Sequence, residues 1–208
     1  IDSVRSRLTH SYEVSNLCRS IGMKLAFEFE SEVFGENHEK LEVKRKVPAM
    51  LAAIGLAHDL GNPPFGHQGE QAVRLWFNEK NSPSNKIHND FLLFDGNPQT
   101  FRLLTKLQIL NDNYGLNLTY GTLAALVKYP WFSDSPDDKR FHDKKFGIFK
   151  SEKEVIESVW DKTGLAEGQR HPFTYVMEAC DDIAYCVLDA EDTVKKGYAS
   201  FYDLMAYL

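Results

Sequence analysis

Long apolar runs are missing from this sequence. The most continuous, Met50 to Ala57, is far shorter than the roughly 20 residues of a membrane-crossing helix, which argues against a membrane span. Positive charge is not in excess either. With 24 Lys and Arg against 30 Asp and Glu, the net charge of −6 argues against a general nucleic-acid wrapper, while leaving room for a local basic pocket for phosphates. Cysteine is scarce: Cys18, Cys180 and Cys186, odd in number and inside expected helices, read as small core residues of a reducing cytoplasm. A disulfide frame and a cysteine-rich structural zinc site are both unlike this pattern. Repeats, low-complexity tracts and a convincing domain boundary are absent. The first residues, Ile1-Asp2-Ser3-Val4-Arg5, carry no apolar signal-peptide core, and there is no initiator Met. Leu208 falls within an amphipathic run, so a fragment of a longer protein is expected.

What is present fits one well-buried globular domain: 208 residues, 43% hydrophobic and 12% aromatic. Helical spacing dominates. Val14, Leu17, Cys18, Ile21, Leu25 and Ala26 predict a helix over about 9–29, with His10 one turn up the buried stripe. A charged segment, 31–46, leads to a helix expected to start at Pro48, whose Met50, Leu51, Ile54 and His58 share a face. A helix over about 67–78 would turn Ala72, Val73 and Trp76 inward. The polar segment 82–95 reads as irregular. A turn then feeds a helix with Phe101, Leu104 and Leu107 inward. A short helix over about 119–128 ends at Tyr129-Pro130. A charged loop spans 133–145, and 146–149 is the only strand-like piece. Ser151 and Glu154 match a capping box opening a helix with Val155, Val159 and Trp160. The last clear helix covers about 172–196, stopped by Gly197. The expected fold class is all-α.

Chemistry-bearing residues gather in Leu56-Ala57-His58-Asp59-Leu60-Gly61-Asn62-Pro63-Pro64-Phe65-Gly66-His67-Gln68-Gly69-Glu70. Helix neighbours diverge by about 100°, but at a fraying helix end a His-Asp pair can splay around one metal ion. The Gly/Pro turn then folds the chain back, bringing His67 and Glu70 over the same point. On the last helix Asp181, Tyr185 and Asp189 stand at i, i+4 and i+8, bordered by Val176, Met177, Cys180 and Ala184. Asp181 is either bound to something, since burying a free carboxylate is costly, or part of an acidic solvent-facing stripe with Asp182, Glu191 and Asp192. His10 alone reads as a core-edge or capping histidine; two inward histidines on separate helices are harder to dismiss. Joined, His10, His58, Asp59 and Asp181 make a set of two nitrogens and two carboxylates from three helices. Such donors suit Mn, Fe, Co, Ni or Zn, and Mg less well. Two positions of an octahedral ion would stay open for water or a phosphate oxygen. In the i, i+3 pair of His67 and Glu70 the carboxylate can orient the imidazole as a general acid or base. The plainer alternative is an acid in a helix's first turn.

Several longer strings are more specific: Arg5-Ser6-Arg7-Leu8-Thr9-His10-Ser11, the run from His58 to Glu70, and Asp95-Gly96-Asn97-Pro98-Gln99-Thr100-Phe101-Arg102. Lys128-Tyr129-Pro130, Lys145-Phe146-Gly147 and the run from Glu178 to Tyr185 join them. Together they resemble the HD-domain superfamily and, more narrowly, the deoxyguanosine triphosphate triphosphohydrolase (dGTPase, or dNTP triphosphohydrolase) family. The resemblance implies an HD-domain helical bundle around a metal site, with residues 1–208 a single HD domain lacking its N- and C-terminal parts. It implies a divalent metal, Mn or Mg foremost, on His10, His58, Asp59 and Asp181. His67 and Glu70 match the family's catalytic pair. Asn97, Lys128, Tyr129 and Lys145 match positions along the phosphates and sugar; Tyr185 and Asp189 match those beside the deoxyribose, the Asp near its 3′-hydroxyl. The implied reaction hydrolyses a dNTP, dGTP favoured, at the α-phosphorus to deoxynucleoside and inorganic triphosphate. The family also implies a cytoplasmic homo-oligomer, hexameric by analogy, without membrane contact, and with a dNTP activator or single-stranded DNA as further partners. Rival readings are an HD phosphohydrolase acting on another nucleotide and a regulator that binds nucleotide or single-stranded DNA. Tyr185 and Asp189 at their helical offsets favour the dNTP. One departure is Pro98, where many members carry a small residue such as Ala.

Overall fold

A computed structural model of the chain describes residues 6–108, 114–133 and 145–207. Arg5 of the first motif and 134–144 of the expected charged loop lie outside the described residues. The described chain is helical, as expected: two isolated bridges, Ser82 with Asn85 and Phe132 with Ile148, are the only β pairing among the described residues. The strand-like piece at 146–149 supplies one of them. The chain divides into two compact units. One joins the chain up to Leu56 with the chain from Tyr175 onward; the other is Ala57–Thr174.

The first unit is built on α1 (Arg7–Glu28), α3 (Val43–Ala57, to Leu56) and α9 (Pro172–Lys195, from Tyr175), with the short α2 (Glu30–Phe34) and α10 (Phe201–Tyr207). Ser6 caps α1: its hydroxyl accepts from Thr9 N–H at 3.3 Å, and Thr9 Oγ1 donates back to Ser6 O at 2.8 Å. Two glycines let α1 and α3 approach closely. A Cβ on Gly55 would stand 2.9 Å from Ser15 Cα, and one on Gly22 2.9 Å from Leu51 Cδ1. The α3 start corrects the sequence expectation. The helix opens at Val43, not at Pro48, because Glu42 O accepts from Arg45 and Lys46 N–H. The Glu42 carboxylate bridges Lys46 and Arg45, which hold its pKa down to about 2. Pro48 therefore sits inside the helix, against Gly22 of α1. On α9 the faces sort as expected near its middle: Met177, Cys180 and Ala184 are buried.

The second unit holds α4 (Gly66–Lys80), α5 (Asn89–Leu92), α6 (Gly96–Arg102) continuing into a π-helical turn at Leu103–Leu107, α7 (Tyr120–Leu126) and α8 (Lys153–Thr163). Its core packs Phe101, Leu123, Val127, Ile148, Ile156 and Trp160. The expected apolar face of α4 is not its buried one. Trp76 is 55% exposed and Ala72 is exposed, while Glu70 is buried. Polar anchors set the inward face instead: Arg74 Nε donates to Phe94 O, Asn78 Nδ2 to Leu92 O, and Phe77 packs on Phe91 at 4.9 Å. Leu107, expected inward, is 51% exposed. The capping box at Ser151 does not form either. Glu152 precedes α8 without a side-chain cap, because Ser151 and Glu152 are both drawn to the Arg102 guanidinium. Among the described residues no helix is long and apolar enough to cross a membrane.

Candidate functional site

In the first unit α1 and α9 bring two of the expected ligands together. His10 Nε2 lies 3.0 Å from Asp181 Oδ1, with the side chains only 10% and 13% exposed. One turn further along α9 the Tyr185 ring stacks at a tilt on His10, centroids 4.5 Å apart. Tyr185 itself is 48% exposed, and Asp189, another turn on, is exposed. The line of Asp181, Tyr185 and Asp189 thus runs from the buried end of α9 out to its surface.

In the second unit His58 and Asp59 follow directly on the end of α3. His58 is buried, and its Nε2 stands 3.6 Å from Asp59 Oδ1. The turn after them is fixed by Thr100 of α6. Its hydroxyl accepts from Gly61 N–H at 2.9 Å and lies 3.1 Å from Gly96 O and 3.4 Å from His58 O. Residue 61 must be glycine, because a Cβ there would fall 2.2 Å from both Gly96 O and Thr100 N. The chain then passes Pro63-Pro64 to Phe65, whose left-handed φ of 65° aims it into α4.

His67 and Glu70 stand near the start of α4, one turn apart. His67 Nδ1 is 3.0 Å from Glu70 Oε2, and Glu70 Oε1 accepts from Gly96 N–H at 2.8 Å. The carboxylate is buried and pinned on both oxygens, while the histidine side chain is 80% exposed. A carboxylate facing Nδ1 favours the tautomer with the proton there, which leaves Nε2 as the acceptor.

The expected substrate residues fall into two groups. Asn97 turns inward, its N–H and Nδ2 both donating to Asp95 Oδ1 at 2.9 and 2.8 Å. Pro98, one position later in the first turn of α6, needs no intrahelical N–H partner, so the departure from a small residue fits. Lys128 and Tyr129 follow α7, and the segment with Lys145 lies against them. Trp131 Nε1 donates to Lys145 O at 2.7 Å, and a Cβ on Gly147 would meet Tyr129 O at 2.4 Å. Sequence reasoning missed two buried acids, Asp90 and Asp95. Asp95 carries the signal of an N-cap before Gly96, and Arg74 Nη2 reaches it at 3.3 Å. Asp90 carries none, because the hydroxyl and the amides that donate to its carboxylate come from 43 to 61 residues away.

Both histidine–aspartate pairs fit a divalent ion chemically. Ligand atoms about 2.1 Å from one ion lie about 3.0 Å apart at a right angle and about 3.4 Å at the tetrahedral angle. The separations of 3.0 and 3.6 Å sit close to those values, and imidazole with carboxylate is a donor set that transition metals accept.

Residues 7–93 match the HD domain family. The chain is 40% identical, over 98% of its length, to a deoxyguanosinetriphosphate triphosphohydrolase-like protein of Listeria monocytogenes, covering 46% of that relative. It is 36% identical over 100% of its length to a like-named protein of Pseudomonas aeruginosa, covering 48% of it. With a deoxyguanosinetriphosphate triphosphohydrolase of Yersinia enterocolitica the identity is 31% over 99% of the chain and 46% of the relative. The chain spans about half the length of the curated relatives it matches. The family match contains His10, His58, Asp59, His67 and Glu70 and runs across the division after Leu56. By that match residues 7–93 are similar to the HD domain, and along nearly its whole length the chain resembles the deoxyguanosinetriphosphate triphosphohydrolases and the proteins named as like them.

Proposed function

We propose that the protein is a metal-dependent dNTP triphosphohydrolase, with dGTP the favoured substrate, releasing deoxynucleoside and intact inorganic triphosphate. The observation that carries it is the His67–Glu70 pair: a buried carboxylate pinned by Gly96 N–H holding an exposed imidazole. By the resemblance to the HD domain, His10, His58, Asp59 and Asp181 would hold a divalent ion. Mn or Mg is favoured there, Fe, Co, Ni or Zn being further candidates. When bound, such an ion lowers the pKa of a ligand water and offsets charge on the phosphoryl oxygens.

The chain's own residues do the rest. Water attacks the α-phosphorus and the bond from that phosphorus to the sugar O5′ breaks, so the α-, β- and γ-phosphates leave together as triphosphate and O5′ takes up a proton to give the deoxynucleoside. His67, with Nδ1–H directed at Glu70, offers Nε2 to handle a proton at the attacked or the leaving oxygen. Lys128 and Lys145 offset the triphosphate charge, with Asn97 and Tyr129 beside them. Tyr185, stacked on His10, would bear on C2′ of the sugar and discourage a ribonucleotide hydroxyl, and Asp189 would accept from the 3′-hydroxyl. A cytoplasmic homo-oligomer, hexameric by analogy, and response to a dNTP activator or single-stranded DNA belong to the same proposal.

The test is turnover of each of the four dNTPs by the full protein with Mn²⁺, products being resolved by ion-exchange chromatography. Deoxynucleoside plus intact triphosphate, lost in Asp59→Ala, is the expected result. Orthophosphate or pyrophosphate as the product would move the protein to another phosphohydrolase class.

A further inference from the structure

We propose that Thr100 is a positioning residue, whose hydroxyl sets the His58–Asp59 turn against the His67–Glu70 pair. The inference rests on the metal-dependent reading above and extends it to a residue that acts through its neighbours. His58 and Asp59 lie past the end of α3, outside the hydrogen-bond ladder of that helix. The turn holds itself only in part: Leu60 N–H donates to Ala57 O and Asn62 N–H to Asp59 O, both at 3.1 Å. The amide between them, Gly61 N–H, is buried and donates instead to Thr100 Oγ1 at 2.9 Å.

Thr100 accepts that bond from within α6, in the same compact unit. It is 4% exposed, and its own hydroxyl proton goes to Gly96 O at 3.1 Å, one turn earlier in the helix, with His58 O at 3.4 Å. Gly96 in turn donates its N–H to Glu70 Oε1 at 2.8 Å. A continuous path therefore runs from Gly61 through Thr100 and both polar groups of residue 96 to the carboxylate that holds His67. The backbone around it leaves no slack. A Cβ on Gly96 would fall 2.1 Å from Asn62 Oδ1 and 3.0 Å from Glu70 Oε1. The two chemical pairs are thus aligned on one short stretch, Gly96 to Thr100.

Valine in place of Thr100 keeps the shape and removes the acceptor. Gly61 N–H is then buried without a partner, and the turn must shift to find one. His58 and Asp59, just before it in the chain, move with the turn. Their donor atoms stand 3.6 Å apart, close to the span that two ligands of one ion need, so a small rotation is felt as lost metal affinity. Groups that orient ligands from behind are worth about 10- to 100-fold in affinity or activity. The proposed nucleotide contacts at Lys128, Tyr129 and Lys145 come from other segments, so ground-state binding of substrate is left alone.

Titration of Mn²⁺ into the full protein without nucleotide, followed by electron paramagnetic resonance, tests the inference. Thr100→Val is expected to bind Mn²⁺ at least about tenfold more weakly than the parent, and Thr100→Ser, which keeps the hydroxyl, to match the parent. In turnover, kcat should fall in Thr100→Val with KM unchanged, and recover in Thr100→Ser. Val159→Ala, in the core of the same unit, gauges destabilisation alone: a lower Tm with the parent's Mn²⁺ affinity. Should Thr100→Val not fold, Thr100→Ala removes the same hydroxyl without adding apolar bulk. The inference is overturned if Thr100→Val binds Mn²⁺ as tightly as the parent, if Thr100→Ser is as weak as Thr100→Val, or if Val159→Ala weakens binding equally. A parent that binds no Mn²⁺ overturns it together with the metal assignment. A parent that binds Mn²⁺ but releases orthophosphate or pyrophosphate overturns the proposed reaction alone, because the affinity is read without nucleotide.

Discussion

Two histidine–carboxylate pairs have the same 3.0 Å separation and opposite construction. His10 and Asp181 are 171 residues apart, join two long helices and are both nearly buried. His67 and Glu70 share one helical turn, with the acid 8% and the histidine 80% exposed. The first pair ties chemistry to folding, since neither side chain can be changed without disturbing the packing of α1 on α9. The second separates them: Glu70 belongs to the fold through Gly96, whereas His67 contributes almost nothing to it and is available to a substrate. A ligand position benefits from the first arrangement, and a proton-transfer group from the second.

The largest expected effect comes from breaking the first pair. Asp181→Ala should lower metal affinity more than about 100-fold, beyond what loss of a supporting partner does, and abolish detectable turnover. It should also cost about 3 kcal/mol, because His10 is left buried without its carboxylate. Bound Mn²⁺ measured by mass spectrometry, beside thermal unfolding, checks both. If metal content and turnover survive while only stability falls, the pair is a structural bridge and the metal assignment is wrong.

The second pair should divide where the first does not. His67→Ala is expected to reduce kcat by about 10² to 10⁴ with an unchanged Tm. Glu70→Ala should reduce kcat as well and cost a further 1–3 kcal/mol or so, since Gly96 N–H then loses its buried acceptor. Glu70→Gln sharpens the contrast: its amide oxygen can still serve Gly96, so stability should hold while the imidazole tautomer, and with it kcat, is upset. Equal stability losses in His67→Ala and Glu70→Ala would remove the distinction between the pairs.

How legible each pair was follows from its construction. His67 and Glu70 were readable because their partner lies three residues away and helical geometry alone brings them together. His10 and Asp181 were marked by residue type and helix face, and the resemblance then linked them across the chain. The all-α class and the long helices followed from apolar spacing. The α4 face did not, because it is anchored by Arg74, Asn78 and Glu70, which a count of apolar residues reads as surface. The α3 start was misread because Glu42 supplies both the first carbonyl and a carboxylate for Arg45 and Lys46, leaving Pro48 inside the helix. Asp90 was invisible, since nothing near it in sequence announces amide donors from Lys150 and Ser151.

A third histidine extends the comparison to one held by a backbone amide. His171, at the entrance to α9, accepts from Phe173 N–H through Nδ1 at 3.1 Å. Burial lowers its pKa below the ordinary 6.5, and the acceptor role agrees, since a protonated Nδ1 could not take that bond. The unfolded chain therefore binds this proton more readily than the folded one. Stability from this group is complete above about pH 6.5 and declines as the pH falls below it. His171→Asn keeps a side-chain oxygen able to cap Phe173 N–H and removes the titration. The difference in unfolding free energy between the two proteins should be constant above pH 7 and shift in favour of the variant between pH 6.5 and 5. The change is the smallest of those expected, because His171 is only part-buried and solvent screens its charge. A difference that stays flat over the whole range would mean that His171 protonates as easily folded as unfolded, and that a backbone amide constrains a histidine less than a carboxylate does.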